Sequence, residues 1–311
     1  MLAADLGGTK CRFALVTEDL RVLGARRVAT VRDQGEFLAR MEEALTALAA
    51  ERYPGVDPPA ALGIGTAGVV ARDEGCIRYA PNLPLDGFPL ATHMQRVLGL
   101  PTTVLNDGRA SAIGEYSYGY AAGADPLLVL FFGTGVGVGL IVNGRPYEGA
   151  DNAAGEIGHT VHRPGGRIGP NGLPGSFEAY CGGGPITARA WEEIGPPPDG
   201  AEAWDLGRLV AAAETDPRAA RILEEAEVAA TALVANACTL LNPRAVVLGG
   251  GVLRGWPALR GAIERFTMRW CSAAVTRNLR FVPSRGESDA ILWGAAEATG
   301  ALRGAGPASS P

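Results

Sequence analysis

Three glycine-rich turns and a few carboxylates are the parts of this sequence equipped for chemistry on phosphate. Asp5-Leu6-Gly7-Gly8-Thr9-Lys10 places a carboxylate at the end of a short apolar run, beside a tight turn. Such a carboxylate can hold Mg2+, through water because that ion keeps its hydration shell. Glycines let backbone N–H groups approach phosphate oxygens, Thr9 adds a hydroxyl and Lys10 a positive charge. Taken alone, an ordinary hairpin with a solvent-facing aspartate is the plain alternative. The second turn, Gly133-Thr134-Gly135, opens a superficial GxGxxG. A dinucleotide fingerprint needs a helix there, whereas alternating Val136, Val138 and Leu140 predict a strand. It reads better as a second phosphate hairpin, with Thr134 reaching the terminal phosphates. Gly249-Gly250-Gly251 follows a buried run and could lie flat against a nucleotide's base and ribose, or be a tight turn. No GxxxxGK[ST] loop is present.

Asn106-Asp107 stands where a strand should give way to a helix. Either residue would cap that helix. Asp107 could also accept a proton from an attacking hydroxyl while Asn106 orients the substrate, and phosphoryl transfer needs little beyond such a base, Mg2+ and positioning. A helix N-terminus favours the ionised carboxylate. Glu156, His159 and Glu178 lie in a glycine-rich stretch. Carboxylates and a neutral imidazole suit the paired hydroxyls of a sugar ring, although surface loop residues have the same look.

The elements that must position these residues follow from periodicity. Leu2–Leu6, Cys11–Val16 and Val22–Val31 read as strands, and Phe37, Leu38, Met41, Leu45 and Leu48 recur at helical spacing over 35–52. Strands are expected at Ala60–Thr66 and Pro101–Leu105, then a helix over 108–118. Leu127–Phe132 and Val136–Val142 repeat the opening pattern around the second turn. Setting Gly8-Thr9-Lys10 over Gly133-Thr134-Gly135 aligns the flanking strands without a gap, which suggests an internal duplication. Helices are expected near 186–193, 206–212, 217–241 and 259–269, with strands at 245–248 and 279–282. Ser288 or Asp289 would cap a final helix over 290–302, and the small, polar tail 304–311 would fray.

With 311 residues, two lobes are expected. A net charge of −5 argues against a general nucleic-acid surface, and no apolar run is long enough to span a bilayer. Five cysteines without CxxC spacing indicate reduced thiols. With no leader pattern at the N-terminus, the expected location is cytoplasmic. Lys10 is the only lysine among 28 basic residues, so the arginine bias of the composition has spared it.

In order, DLGGTK from Asp5, APNLP from Ala80, LND from Leu105, FFGTGVGVGLIVNGR from Phe131, GADNAAGEIGH from Gly149 and LGGG from Leu248 resemble the ROK family of sugar kinases and repressors. The resemblance spans nearly the whole chain and looks glucokinase-like. It implies an α/β protein of two ribonuclease-H-like domains, of the actin-like ATPase and sugar kinase type, with an interdomain cleft. The smaller domain would comprise 1–116 and a returning helix over 289–303, the larger 117–288. Asp107 would be the base. Gly65, Asn82, Asn106, Glu156, His159 and Glu178 would touch the sugar. Gly7, Gly8, Thr9, Lys10, Gly133, Thr134, Gly135, Gly249 and Gly250 would attend ATP, with Asp5 on Mg2+.

The implied reaction moves the γ-phosphate of ATP to a primary hydroxyl of a hexose, glucose foremost. N-acetylmannosamine, N-acetylglucosamine and C7-cyclitols are alternative acceptors. A non-catalytic sugar-sensing regulator is the alternative of another class. No nucleic acid, no membrane and a homodimer are the implied partnerships. The repressor branch carries a helix-turn-helix ahead of the first strand, for which this sequence leaves no room. One departure stands out. Family members carry C-x-C-G-x-x-G-C after the GEIGH histidine, and its three cysteines join that histidine on zinc. Here Gly169–Ser176 holds no cysteine. A lone His159 cannot make a tetrahedral zinc site, so no zinc is expected, with Pro170 and Pro174 stiffening the loop. A second departure is Thr66-Ala67-Gly68-Val69, where the family often has proline near the sugar.

Overall fold

The computed structural model describes residues 1–71, 74–170, 172–287 and 289–300. The expected cap at Ser288 and the fraying tail lie outside the described residues. From the N-terminus the chain forms β1 (Leu2–Leu6), β2 (Lys10–Val16), β3 (Val22–Ala29), α1 (Gln34–Ala50) and β4 (Leu62–Thr66). Then come β5 (Val69–Val70), β6 (Ile77–Tyr79), α2 (Leu90–Leu98), β7 (Thr102–Asn106) and α3 (Asp107–Tyr118). The second half opens with β8 (Leu127–Phe132), β9 (Val136–Val142) and β10 (Arg145–Pro146), followed by α4 (Glu178–Cys181), α5 (Gly183–Glu193), α6 (Leu206–Ala212) and α7 (Pro217–Leu241). It closes with β11 (Ala245–Gly249), α8 (Gly251–Gly255), α9 (Ala258–Trp270), α10 (Ala273–Thr276), β12 (Arg280–Pro283) and α11 (Asp289–Ala298).

Two five-stranded sheets have matching orders, β3-β2-β1-β4-β7 and β10-β9-β8-β11-β12. Each begins with a glycine-turn hairpin and extends through parallel strands, as the aligned hairpins suggested. The central parallel strands β4 and β11 are buried at every residue, as strands covered on both faces are, whereas β7 and β12 at the sheet edges are only partly buried. Residues 1–124, 139–155 and 284 onward group into one compact unit, and 125–138 with 156–283 into another.

In the first unit, Leu2, Leu6, Phe13, Met41, Leu45, Leu48, Leu62 and Ile64 form one core between the sheet and α1. Asp33 starts α1 by accepting the Glu36 N–H at 2.8 Å. α11 crosses α3 on small residues. A Cβ at Gly294 would sit 1.6 Å from the Ala110 carbonyl oxygen, and one at Gly114 2.2 Å from that of Ala290. Buried Glu115 of α3 accepts from Ser284 Oγ and, at 3.2 Å, from the Gly286 N–H, fixing the segment that leads into α11. In the second unit α7 starts with Pro217 in its first turn, Asp216 accepting the Arg218 N–H at 2.8 Å. It ends on Asn242 in the left-handed region at φ 45°.

Candidate active site

Parallel pairing brings the first unit's candidate residues to one edge of its sheet. Asp5 lies opposite Gly65, and Gly65 opposite Leu105; one step further, Leu6, Thr66 and Asn106 are in register. The carboxyl ends of β1, β4 and β7 therefore finish together, the edge at which open α/β sheets bind ligands. Asn106 is the N-cap of α3: its Oδ1 accepts the Arg109 N–H at 3.3 Å, and its Nδ2 donates to the Gly68 carbonyl at 3.0 Å. Both polar atoms of Asn106 thus already hold protein groups, each with one further bonding position. Asp107 is the first residue of α3, and its Oδ1 accepts the Gly108 N–H at 2.8 Å.

Asp5 and Asp107 sense one another. Burial, reinforced by the Asp107 charge, pushes the Asp5 carboxyl up to about 7 against the pull of Arg12 and Lys10. Two acidic groups arranged this way are a donor set that a divalent cation would relieve.

The Gly7–Lys10 turn closes with the Gly7 N–H on the Lys10 carbonyl at 3.2 Å. Thr30 anchors it twice, its N–H donating to Thr9 O at 3.0 Å and its Oγ1 to Gly7 O at 2.7 Å. Gly8 admits no side chain, because a Cβ there would lie 2.6 Å from the Cβ of Asn82. An expected acceptor contact is thereby packed on the expected phosphate turn.

The second unit repeats the device. The Gly133 N–H closes on the Gly135 carbonyl at 2.9 Å, while the carbonyls of Gly133 and Thr134 accept from the Gly183 and Gly184 N–H groups at 2.9 and 2.8 Å. With its carbonyls engaged by the start of α5, the turn presents its amides elsewhere. Among the described residues, the amides of Gly8, Thr9, Thr134 and Gly135 have no hydrogen-bond partner. Thr9, Lys10 and Thr134 are exposed. Unpaired amides with an exposed hydroxyl fit phosphate oxygens. Gly249 pairs with Phe131, so Gly249-Gly250 ends level with the turn after β8. Gly250 has φ 105°, and a Cβ there would fall 2.3 Å from the Phe132 carbonyl oxygen. Gly251 opens the short helix α8, so the three glycines are not a flat run.

Glu178, at the start of α4, is 8% exposed. Its Oε2 accepts the Val136 N–H at 2.7 Å, and its Oε1 lies 3.6 Å from His159 Nε2. His159 Nδ1 is 3.4 Å from Glu156 Oε2. Burial alone would raise the Glu178 pKa, but its bonds with His159 and Val136 outweigh it and hold the carboxyl below its ordinary value. The bond to Glu178 raises the His159 pKa despite burial. The neutral imidazole expected from the sequence is therefore drawn toward its protonated form. In this state His159 donates hydrogen bonds and accepts none.

Gly65, Asn82, Asn106 and Asp107 belong to the first unit, and Glu156, His159 and Glu178 to the second. Sequence reading missed Thr30, Gly183-Gly184 and a buried pair beside Asp107. Arg109 donates to the carbonyl of Asn152, whose Nδ2 donates to Val70 O at 2.7 Å. The run Cys181-Gly182-Gly183-Gly184 was a usable signal; Thr30 and Arg109 carried none. Among the described residues no cluster of three or more His, Cys, Asp or Glu could hold a metal ion, and no helix is long and apolar enough to cross a membrane.

Sheet order and turn placement define the actin-like ATPase fold that sugar kinases use. Over 96% of this chain it matches the crystal structure of a ROK family glucokinase from Streptomyces griseus in complex with glucose and AMPPNP, at 29% identity, a TM-score of 0.81 and 99% coverage of that chain. The glucokinase of Thermotoga maritima is 28% identical, covering 95% of this chain and 96% of its own length. The N-acetylmannosamine kinase of Yersinia pestis is 31% identical over 81% of this chain and 82% of its own. The chain belongs to the ROK family, whose model matches residues 1–299.

Proposed function

We propose that this chain transfers the γ-phosphate of ATP to a primary hydroxyl of a hexose, the 6-hydroxyl of glucose foremost. It is an ATP-dependent sugar kinase, and the finer assignment rests on one observation. Asp107 stands at the strand edge shared by Asp5 and Gly65, beside a glycine turn whose amides are unpaired.

The Asp107 carboxylate takes the acceptor's hydroxyl proton as that oxygen attacks phosphorus. The new O–P bond replaces the bond from the γ-phosphorus to the β-phosphate oxygen, and the electron pair leaves with ADP. Unpaired amides at Gly8, Thr9, Thr134 and Gly135 receive phosphate oxygens, with Lys10 and the hydroxyls of Thr9 and Thr134 adding charge and donors. Asp5 would hold Mg2+ through water, and that ion, when bound, offsets the charge gathering on the phosphates. Asn82 and Asn106 accept and donate toward the sugar, while Glu156 and Glu178 accept and His159 donates. This mixed set suits vicinal hydroxyls, which both give and receive hydrogen bonds.

Identity with an N-acetylmannosamine kinase supports a second acceptor class, the N-acetylhexosamines. The proposed setting is the cytoplasm and the proposed assembly a homodimer, which light scattering reads directly. An ADP-release assay over glucose, mannose, N-acetylmannosamine, N-acetylglucosamine and a C7-cyclitol tests the proposal. Glucose is expected to give the highest kcat/KM. Preference for an N-acetylhexosamine would move the assignment within the class, and ATP turnover with none of them would overturn it.

A further inference from the structure

Residues 160–167 and 174–177 pair as the two arms of a ribbon. The Phe177 N–H donates to the Thr160 carbonyl at 3.0 Å. Further out, the His162 and Arg163 N–H groups share the Gly175 carbonyl at 2.8 and 3.0 Å, and the Gly175 N–H returns to Arg167 O at 2.7 Å. Gly175 has φ 81°, and a Cβ there would lie 1.8 Å from the Arg163 carbonyl oxygen, so the arms meet with no room for a side chain.

His159 and Glu178 are the next residues beyond the Thr160–Phe177 bond, one on each arm. Closure of the ribbon therefore sets the spacing of the two side chains that face the acceptor in the proposed reaction. Backbone bonds in a short surface ribbon compete with water and hold it weakly by themselves.

Side chains add what the backbone lacks. The His162 ring lies 4.8 Å from the Phe177 ring and 5.1 Å, edge-on, from that of Tyr180. Phe177 and Tyr180 are buried. The Arg163 guanidinium is 5.8 Å above Tyr180, whose hydroxyl accepts the Arg167 N–H at 3.1 Å. Ser176 Oγ accepts the Ala179 N–H at 3.3 Å, starting the helix that carries Glu178. Burial and the neighbouring Arg163 keep His162 neutral, as suits a ring packed on two others.

We infer that His162, packed against Phe177 and edge-on against Tyr180, is the clasp that keeps the ribbon shut and so holds His159 and Glu178 in register for the acceptor. Resting on the kinase assignment, this makes His162 a positioning residue for acceptor binding, acting through the ribbon and not by touching substrate.

The test compares His162→Ala and His162→Phe. Losing this ring packing is expected to raise the glucose KM about tenfold while the ATP KM moves less than about threefold, and His162→Phe, which keeps a ring, should restore most of the difference. Amide exchange should accelerate at His162, Gly175 and Phe177 in His162→Ala and not in His162→Phe. Unchanged exchange in His162→Ala would overturn the clasp, whatever the kinetics. So would a folded His162→Phe with the alanine variant's glucose KM, or parallel loss of glucose and ATP affinity. Should the wild type phosphorylate no sugar, the kinase assignment fails, and exchange still decides whether His162 closes the ribbon.

Discussion

Gly139 couples the packing of β9 to the position of the proposed base. Adding a Cβ there would place it 2.0 Å from the Gly108 carbonyl oxygen and 2.6 Å from the Ala112 Cβ. Neither atom belongs to a flexible side chain that can swing away. Gly108 follows Asp107 directly, in the first turn of α3. Restoring contact to at least about 3.0 Å requires the strand and the helix start to part on the order of 1 Å. In Gly139→Ala the overpacking is expected to cost about 1–3 kcal/mol of stability. Displacing a reacting group by about 1 Å is worth roughly 10²-fold in rate, so kcat should fall on that order. The assay pairs urea denaturation with steady-state ADP release at saturating ATP and sugar. Gly137→Ala is the control for stability. It lies two residues earlier on the same strand, and the nearest atom to its added Cβ is 4.0 Å away. A Gly139→Ala protein as stable as the Gly137→Ala control, with kcat within twofold of wild type, would refute the reasoning.

Asp107→Asn keeps an oxygen for the Gly108 N–H but cannot take a proton, so kcat should fall about 10²–10⁴-fold with sugar affinity little changed, read by ADP release and calorimetry. Turnover near the wild-type rate would remove Asp107 from its role. The Asp5 carboxyl, held near 7 in the fold against 3.8 as its ordinary value, gives a pH signature. Between those values the unfolded chain loses this proton while the folded one keeps it, so the group's contribution to stability falls as pH rises from about 4 to about 7. Urea melts in metal-free buffer should show that decline, and Asp5→Asn should flatten it. Dialysis against a zinc-selective chelator, with Mg2+ held constant, should leave the melting temperature unchanged, and metal analysis should find no stoichiometric zinc. One tightly bound zinc per chain would contradict the cysteine-free 169–176 loop as the reason to expect none.

Much of the fold was legible because local rules sufficed. Helices at 206–212 and 217–241 and strands at 127–132 and 136–142 have the bounds their periodicity predicts. α2 escaped, since nine residues give few turns to count and Pro89 ahead of it makes no side-chain cap. The short pair of β5 and β6 carried too little pattern to be seen. Glycines were legible where a turn demands them, as at Gly7-Gly8 and Gly133. Gly139, Gly114 and Gly294 looked like any others, because what forbids their side chains is a carbonyl far away in the chain.

By itself the sequence determined the chemical parts: the acidic and glycine-turn motifs, their order, and a cysteine-free segment after His159. Those depend on residue identity and short spacing. Tertiary structure decided that Asp5, Gly65 and Asn106 end on one sheet edge, that Thr30 anchors the Gly7–Lys10 turn and Arg109 the Asn152 carbonyl, and that Glu178 draws a proton toward His159. Each depends on parallel register, burial or a carboxylate's field, and those arise only when distant segments pack together.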